Sequence, residues 1–478
     1  MMKRLRQIPV HLRLALIGIL TSLVALSPQP RQLRESYGEA YRALEDASPG
    51  LAVDRLATIL AFEPWRAELR LVAGHYAVQG SDYSAAVEFL ESAGRQLALS
   101  SDDWLILGDA YHALGQDSQA ITAWQRAAES GADLLDMTQR LLPVHLAQGD
   151  AVAITQDLRT LADLQPGDAH AQYQAGLHLA ALDPQAALPY LESVARLDRS
   201  LSMQVNPLRD AILTAALTEE PSYALVSVGR KLAALEEWEL ASRAFERAVQ
   251  INPNYAEAWA FWAESLQHLE HPDLTKAKTA LEKALEINPD LVLVHLLGSV
   301  YWQRQRENDR AQEHLTEALR LEPENPIIYI EIGNLLARKG EIQQAYTAFQ
   351  KAVHLAPRDV SYRRVLVDFL LRHQIELRES ALPVARQAVI LAPNDPAALD
   401  LLGETLFLLG DYHTAERFVE RALKLDAQYA PALMHLGVIS YYLGEGEKAR
   451  QLLAQARNLA EDPATLNQAQ RLIEYYFP

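Results

Sequence analysis

The feature that most constrains this chain is an internal repeat of about 34 residues. Prolines recur at Pro253, Pro289, Pro323, Pro357 and Pro393, with steps of 36, 34, 34 and 36 residues. Each proline lies in a similar phrase: INPN, INPD, LEPE, LAPR and LAPN. A repeat of this length is typical of one supersecondary unit stacked many times, because a single unit cannot bury its apolar face alone. The 478 residues are therefore expected to form an elongated array.

Each period predicts a helical hairpin. Two stretches with apolar residues at helical spacing lie between successive prolines. A short turn separates them, as at Gly340, Gly410-Asp411 and Gly444-Glu445. The proline ends the second helix because it lacks a backbone N–H and does not fit inside a helix.

The repeat resembles the tetratricopeptide repeat (TPR) family, whose pattern is an aromatic residue, Leu-Gly, Tyr, Ala, an aromatic residue and Pro. One repeat carries Trp104, Leu107, Gly108, Tyr111, Ala120, Trp124 and Ala127, and another carries Tyr329, Ile332, Gly333, Leu336, Ala345, Phe349, Ala352 and Pro357. The N-terminal repeats follow the pattern more loosely, with Ile154 in place of a small alanine. The resemblance implies an all-α, right-handed superhelical α-solenoid of about twelve TPR helical hairpins, with Trp104, Trp124, Trp259 and Trp262 in its core.

The repeats are expected at 33–66, 67–100, 101–134, 135–168, within 169–221, and at 222–255, 256–291, 292–325, 326–359, 360–395, 396–429 and 430–463. Their register breaks once, because Gly176 and Gly229 occupy the same slot but lie 53 residues apart. We expect a divergent array at 33–200, an inserted helix or joint at 201–221, a second array at 222–463 and a capping helix at 464–478. The insertion is alternatively a decayed hairpin that lost one helix.

Residues 1–30 form a separate segment. The basic residues Lys3, Arg4, Arg6 and Arg13 precede an uncharged run over 14–26. This layout is typical of a secretory signal, and the run is short for a bilayer span. We favour an uncleaved signal anchor that crosses the membrane through residues 12–27, with the TPR domain extracytoplasmic. The alternatives are a cleaved signal, which gives a secreted or periplasmic protein, a buried first helix and a mitochondrial presequence.

The composition argues against several kinds of chemistry. There are 62 acidic and 44 basic residues, a net charge of −18, so the chain is poorly suited to nucleic acid. The absence of cysteine excludes disulfides, cysteine–zinc sites, iron–sulfur clusters and a cysteine nucleophile. No phosphate-binding loop, dinucleotide-binding or hydrolase motif occurs. We expect no catalytic residue, cofactor or metal, and interpret His268 and His271 as a solvated turn.

The resemblance implies that the first helices of successive hairpins line a concave groove where partner proteins bind. The residues expected in it are Phe261, His295, Trp302, Ile327, Ile330, Asn334, Arg338, Arg364, Asp368 and Arg372. The apolar members would hold partner side chains. The three arginines suit a carboxylate or an acidic segment; alternatively, they form a solvated face balanced by Glu331 and Asp368. Ile330 replaces the lysine of TPR domains that clamp a chaperone tail, so we do not expect that activity.

Together these features predict a non-enzymatic, membrane-tethered TPR scaffold that serves in cell-envelope assembly or recruitment. One alternative is a cleaved secreted or periplasmic adaptor. Another is a regulatory subunit of an enzyme of envelope glycan or lipid synthesis. The fold does not choose among these functions, because TPR arrays serve many.

Overall fold

The computed structural model describes residues 31–46, 48–218, 220–460 and 463–477. These residues fold into 26 α-helices, one 3₁₀ turn and one π-helical turn, and they contain no strand. The predicted all-α fold class is confirmed. The predicted signal anchor lies outside the described residues. Within them, no helix combines the length and the apolar character needed to cross a bilayer.

The chain divides into two compact units. The N-terminal unit comprises the described residues up to Leu179 together with Gln185–Arg209, and the C-terminal unit comprises Ala180–Pro184 and the described residues from Asp210 onward. The division passes through α11, Arg199–Ala215. The helices before α11 are α1 Arg31–Glu45, α2 Pro49–Phe62, α3 Ala67–Gln79, α4 Tyr83–Gly94, α5 Ser101–Ala113, α6 Asp117–Glu129, α7 Leu134–Gln148, α8 Ala151–Leu164, α9 Ala169–Leu182 and α10 Pro184–Leu197.

Fifteen helices follow α11, all in the C-terminal unit. They are α12 Pro221–Ala234, α13 Trp238–Ile251, α14 Ala256–Ser265, α15 Leu274–Ile287, α16 Val292–Arg304, α17 Asn308–Leu321, α18 Pro326–Arg338, α19 Ile342–Leu355, α20 Val360–Arg372, α21 Leu382–Leu391, α22 Pro396–Leu408, α23 Tyr412–Leu425, α24 Ala430–Tyr442, α25 Gly446–Leu459 and α26 Pro463–Tyr476. The π-helical turn, Leu377–Ala381, leads directly into α21.

The turns inside the hairpins follow the local sequence. Gly340, Gly410 and Gly444 have φ values of 78°, 85° and 87°, a left-handed conformation that glycine adopts without steric cost. Where the N-cap residue of a second helix is an aspartate, its side chain caps that helix, whereas the glutamates at this position do not. Asp273, for example, accepts a hydrogen bond from the Lys276 backbone N–H (2.9 Å).

In eight of the hairpins, a glycine of the first helix faces a side chain of the second. A Cβ on Gly333 would lie 2.7 Å from ring atoms of Phe349, and one on Gly108 would lie 2.4 Å from Trp124. Leucine or valine fills the same place above Gly74, Gly176, Gly403 and Gly437, and phenylalanine fills it above Gly229. Gly298 is different, because the side chain above it is His314.

The first helices of neighbouring hairpins also pack on one another. In the C-terminal unit, α20 contacts α22, α22 contacts α24 and α24 contacts α26. Their inner faces enclose a core that includes Leu366, Leu370, Leu402, Leu436 and Ile439. The first helices thus form a row, and each presents one solvent-facing stripe of side chains. These stripes lie side by side, which is the geometry that the groove requires.

Candidate functional site

A groove of about 560 Å³ crosses the first helices α20, α22, α24 and α26. Each helix contributes side chains four residues apart, because that spacing returns to one helix face. The lining side chains used below are Arg364, Asp368 and Arg372 from α20, Asp400, Leu401 and Glu404 from α22, Pro431, Met434 and His435 from α24 with the preceding Tyr429, and Thr465 and Gln468 from α26. We call this surface the C-terminal groove.

A second, smaller cavity of about 310 Å³ adjoins it between α18 and α20. Asn334 and Arg338 line this cavity from α18, and Asp368 and Arg372 line both cavities. The structure thus brings together five of the predicted residues: Asn334, Arg338, Arg364, Asp368 and Arg372.

Two of the arginines have carboxylate partners. Arg372 Nε donates to Asp368 Oδ1 (2.9 Å) on the same helix, and Arg364 Nη1 donates to Asp395 Oδ2 (3.1 Å) at the start of α22. Among the described residues, Arg338 makes no ion pair, and it donates only to the Gln303 carbonyl (3.5 Å). The arginine cluster is therefore partly neutralised, and Arg338 is the member without an ion-pair partner, although the nearby charges of Arg338 and Glu331 attract each other.

A cationic histidine lies at the centre of the C-terminal groove. His435 Nδ1 donates to Asp400 Oδ1 (2.9 Å), and His435 Nε2 lies 3.7 Å from Glu404 Oε2. Burial disfavours the charged ring, but the carboxylates of Asp400 and Glu404 outweigh it and raise the pKa of His435 to about 10. Burial also raises the pKa of Glu404, against the opposing effect of His435. The His435 ring is consequently cationic at neutral pH.

Replacing His435 with glutamine is expected to lower the free energy of unfolding by about 3 kcal/mol, because the nearly inaccessible Asp400 carboxylate loses its counter-charge. The pKa is raised in the folded chain, so this stabilisation is complete below pH 6.5 and disappears as the pH rises through about 10. Urea unfolding across this pH range measures it. The double variant His435→Gln/Asp400→Asn should recover part of the loss, and equal losses in both variants would contradict the pairing.

On the first helices that precede α18, hydrogen bonds and ion pairs between the chain's own side chains occupy the exposed surface. Arg304 on α16 donates to both oxygens of Glu264 on α14, at 2.9 and 3.1 Å. Burial of Glu264 raises its pKa, but His268 and Arg304 reverse this and hold the pKa below its usual range. Burial raises the pKa of Glu331 despite hydrogen bonds from Asn334 and Gln303.

The residues of the predicted apolar patch are largely engaged in packing. The ring of Phe261 stacks on Phe245, with centroids 5.5 Å apart. His295 is buried, and its Nε2–H donates to the Pro289 carbonyl (2.7 Å). Arg310 lies 4.4 Å from the ring centroid of Trp302. Ile330 packs against the core, which leaves Ile327 as the most exposed member, at 47%.

Sequence reasoning missed part of the groove. Tyr429, Met434, His435, Thr465 and Gln468 line it but were not among the expected residues. The repeat gave only a partial signal, because His435 lies 35 residues after Asp400, one position beyond the equivalent place on the next first helix. The expected residues end at Arg372 on α20, whereas the groove continues across α22, α24 and α26.

One histidine of the pair at the 266–273 turn, His268, has a structural role. His268 stacks on Trp238 with ring centroids 3.8 Å apart, and one ring nitrogen lies 3.0 Å from Glu264 Oε1. The interpretation as a solvated turn is wrong for this half-buried side chain, whereas His271 is exposed. In the part of the chain that the structure describes, no group of three or more histidine, aspartate or glutamate residues is placed to hold a metal ion.

Several curated proteins are similar to this chain. The human mitochondrial import receptor subunit TOM70 is 22% identical over 261 residues, which are 54% of this chain and 40% of the relative. Anaphase-promoting complex subunit 7 of Arabidopsis thaliana is 25% identical over 47% of this chain and 40% of the relative. Human protein O-mannosyl-transferase TMTC3 is 24% identical over 52% of this chain and 28% of the relative. This chain spans about two fifths of the length of each of the first two relatives, and it spans less than a third of the length of the last.

Among solved structures, yeast Tom70 aligns with 93% of this chain and 95% of its own, at 16% identity and a TM-score of 0.45. The type IV pilus biogenesis factor PilW aligns with 45% of this chain and 98% of its own, at 20% identity and a TM-score of 0.38. Sequence models described as tetratricopeptide repeat match three stretches that include α15–α19 and α23–α26 almost completely. Residues 273–291, 295–360 and 406–473 of this chain are therefore tetratricopeptide repeats.

Proposed function

We propose that this chain is a non-enzymatic scaffold that holds an extended segment of a partner protein in the C-terminal groove. The observation that carries the proposal is the groove itself, which the chain's own side chains line without filling. Its apolar wall at Leu401, Pro431 and Met434 suits partner side chains, and its charged floor orients the bound segment.

The relatives support a role in assembly. By name, one is a receptor subunit and another is a subunit of a multiprotein complex. TMTC3 is a transferase by name, but this chain matches only 28% of it. A role as a subunit of a larger assembly agrees with the binding of a partner segment in the C-terminal groove.

We propose further that residues 12–27 tether the scaffold to a membrane of the cell envelope. The support is the sequence pattern alone: a basic start and an uncharged run over 14–26. Alkaline carbonate extraction of cell membranes tests the tether. The chain is expected to remain in the membrane pellet. Complete release without detergent would contradict the tether and favour the cleaved, periplasmic or secreted form.

Reversing the charge of two groove arginines should weaken partner binding. In the variant Arg364→Glu/Arg372→Glu, both ion pairs become like-charge contacts, and a partner segment with acidic side chains loses its counter-charges. We expect at least about tenfold less recovery of the partner. We expect a change of only about 1 kcal/mol in the free energy of unfolding, because these pairs are partly exposed.

The measurement is affinity purification of the full-length, C-terminally tagged chain from a mild-detergent membrane extract, followed by mass spectrometry. Arg378→Glu/Arg386→Glu is the matched control, since both arginines are exposed and line neither groove cavity. Equal recovery of the partner by the groove variant and its control would refute binding at this site. Recovery of one transferase or polymerase in equal amount would favour the regulatory-subunit alternative.

A further inference from the structure

A separate cavity of about 390 Å³ lies in the N-terminal unit, between the hairpins α3–α4 and α5–α6. Unlike the C-terminal groove, it involves two second helices, α4 and α6, as well as the first helix α5. Its volume is within the range of sites that hold a small ligand or one large side chain. It is independent of the function proposed above.

The interior of the cavity is apolar. Leu99 and Leu107 are buried at its base, and Trp104 forms part of its wall. The sequence predicts Trp104 in the core, but its side chain is only partly buried. The Arg126 guanidinium lies 4.8 Å from the centroid of a Trp104 ring, a cation–π contact that holds both groups in place.

One carboxylate lines the cavity, and its charge is compensated. The Tyr111 hydroxyl donates to Glu91 Oε1 (2.5 Å), and Arg95 Nη2 donates to Glu91 Oε2 (3.3 Å). Burial, together with Glu91, raises the pKa of Tyr111 to about 12, so its hydroxyl remains a donor at neutral pH. Glu91 therefore presents little free charge to a ligand.

The rim is basic although the whole chain is acidic. Arg95 and Arg126 are both exposed at the cavity, and in the described part of the chain Arg126 forms no ion pair. A guanidinium stacked on an indole is well placed to bind a carboxylate with two hydrogen bonds. Because Arg95 is paired with Glu91, the two arginines and the one glutamate leave the rim with a single net positive charge, which Arg126 carries.

We infer that this cavity docks a partner segment in which a large apolar side chain is directly followed by acidic residues. The apolar side chain enters between Trp104, Leu99 and Leu107. The acidic residues then meet Arg126 and Arg95 at the rim. Charge complementarity selects this occupant, because a basic segment would bring its cations against the arginines.

Binding of three short peptides to the full-length chain in mild detergent tests this inference. The probes are N-acetyl-Phe-Glu-Glu-amide, N-acetyl-Phe-Lys-Lys-amide and N-acetyl-Gly-Glu-Glu-amide. The chain has seven tryptophans, so nitrogen-15 labelling gives seven indole N–H resonances, and Trp104→Phe identifies that of Trp104. The first peptide should shift the Trp104 resonance saturably, and the other two should bind at least about tenfold more weakly.

The variant Arg95→Glu/Arg126→Glu should reverse the preference between the acidic and basic phenylalanine peptides. The control Arg378→Glu/Arg386→Glu, with the same change of charge in the C-terminal unit, should leave it unchanged. No shift of Trp104 with any peptide, or equal shifts with acidic and basic peptides, overturns the inference even without the variants. Partner capture through the C-terminal groove is a different readout, so either proposal can fail alone.

Discussion

Replacing Gly333 with leucine should unfold the α18–α19 hairpin locally and loosen the hairpins on both sides. The position has no room for any side chain, since even a Cβ would lie 2.7 Å from the Phe349 ring. Overpacking of this kind costs about 3 kcal/mol or more where the neighbours cannot move. In a repeat array each unit depends on the adjacent ones, so the loss spreads to them.

Hydrogen exchange measures this effect hairpin by hairpin, which a single melting temperature does not. Gly446→Leu is the matched control, because a Cβ at Gly446 meets nothing within 4 Å. The double variant Gly333→Leu/Phe349→Ala removes the opposing ring. It should lose less free energy of unfolding than the sum of the losses in the two single variants. Unchanged protection of α18 and α19 in Gly333→Leu would show that the close contact with Phe349 is not required.

Acidification should destabilise the hairpin α16–α17 through His314. This ring occupies the position above Gly298 that phenylalanine, tryptophan, leucine or valine occupies in other hairpins. Burial of His314 and the nearby His295, whose Nδ1 lies 3.3 Å from His314 Nδ1, lower the pKa of His314 to about 4. The neutral ring therefore fits the folded hairpin, and the protonated ring does not.

The unfolded chain takes up this proton at an ordinary pKa of 6.5, whereas the folded chain takes it up at about 4. Stability from the neutral ring is complete above pH 6.5 and is lost as the pH falls to about 4, a difference of about 3 kcal/mol. Many carboxylates titrate over the lower part of this range. The useful quantity is therefore the difference between the parent and His314→Phe in urea unfolding at pH 7.5, 6 and 4.5.

His314→Phe should remove this part of the pH dependence, since Phe245 and Phe349 already occupy the same position above Gly229 and Gly333. The control His354→Gln changes an exposed histidine and should keep the parental pH profile. If the parent and His314→Phe lose stability in parallel between pH 6.5 and 4.5, the buried histidine is not the cause.

The regular part of the fold was predictable because it follows local chemistry. Glycines such as Gly340 and Gly410, next to charged residues, mark turns, and the prolines mark the ends of second helices. The two longer steps of 36 residues are visible in the sequence, but their form is not. One becomes the loop between α14 and α15, and the other becomes the π-helical turn Leu377–Ala381, entered through Glu376 with a φ of 40°.

The candidate site was less predictable, because helical spacing reports a face but not what covers that face. Arg372 and Asp368 lie in the groove as expected, whereas His295 on a similar face is buried by its own hairpin. The charge on His435 depends on Asp400, 35 residues earlier. Such a pair is visible only when consecutive first helices are known to touch.

The packing of each hairpin mainly on its immediate neighbours also has a mechanical consequence. Within either unit, tension along the chain would load one interface at a time instead of a whole core at once. Releasing one hairpin of about 34 residues would add roughly 110 Å of extended chain. A scaffold of this kind would yield to a pull in small steps and keep its remaining hairpins folded.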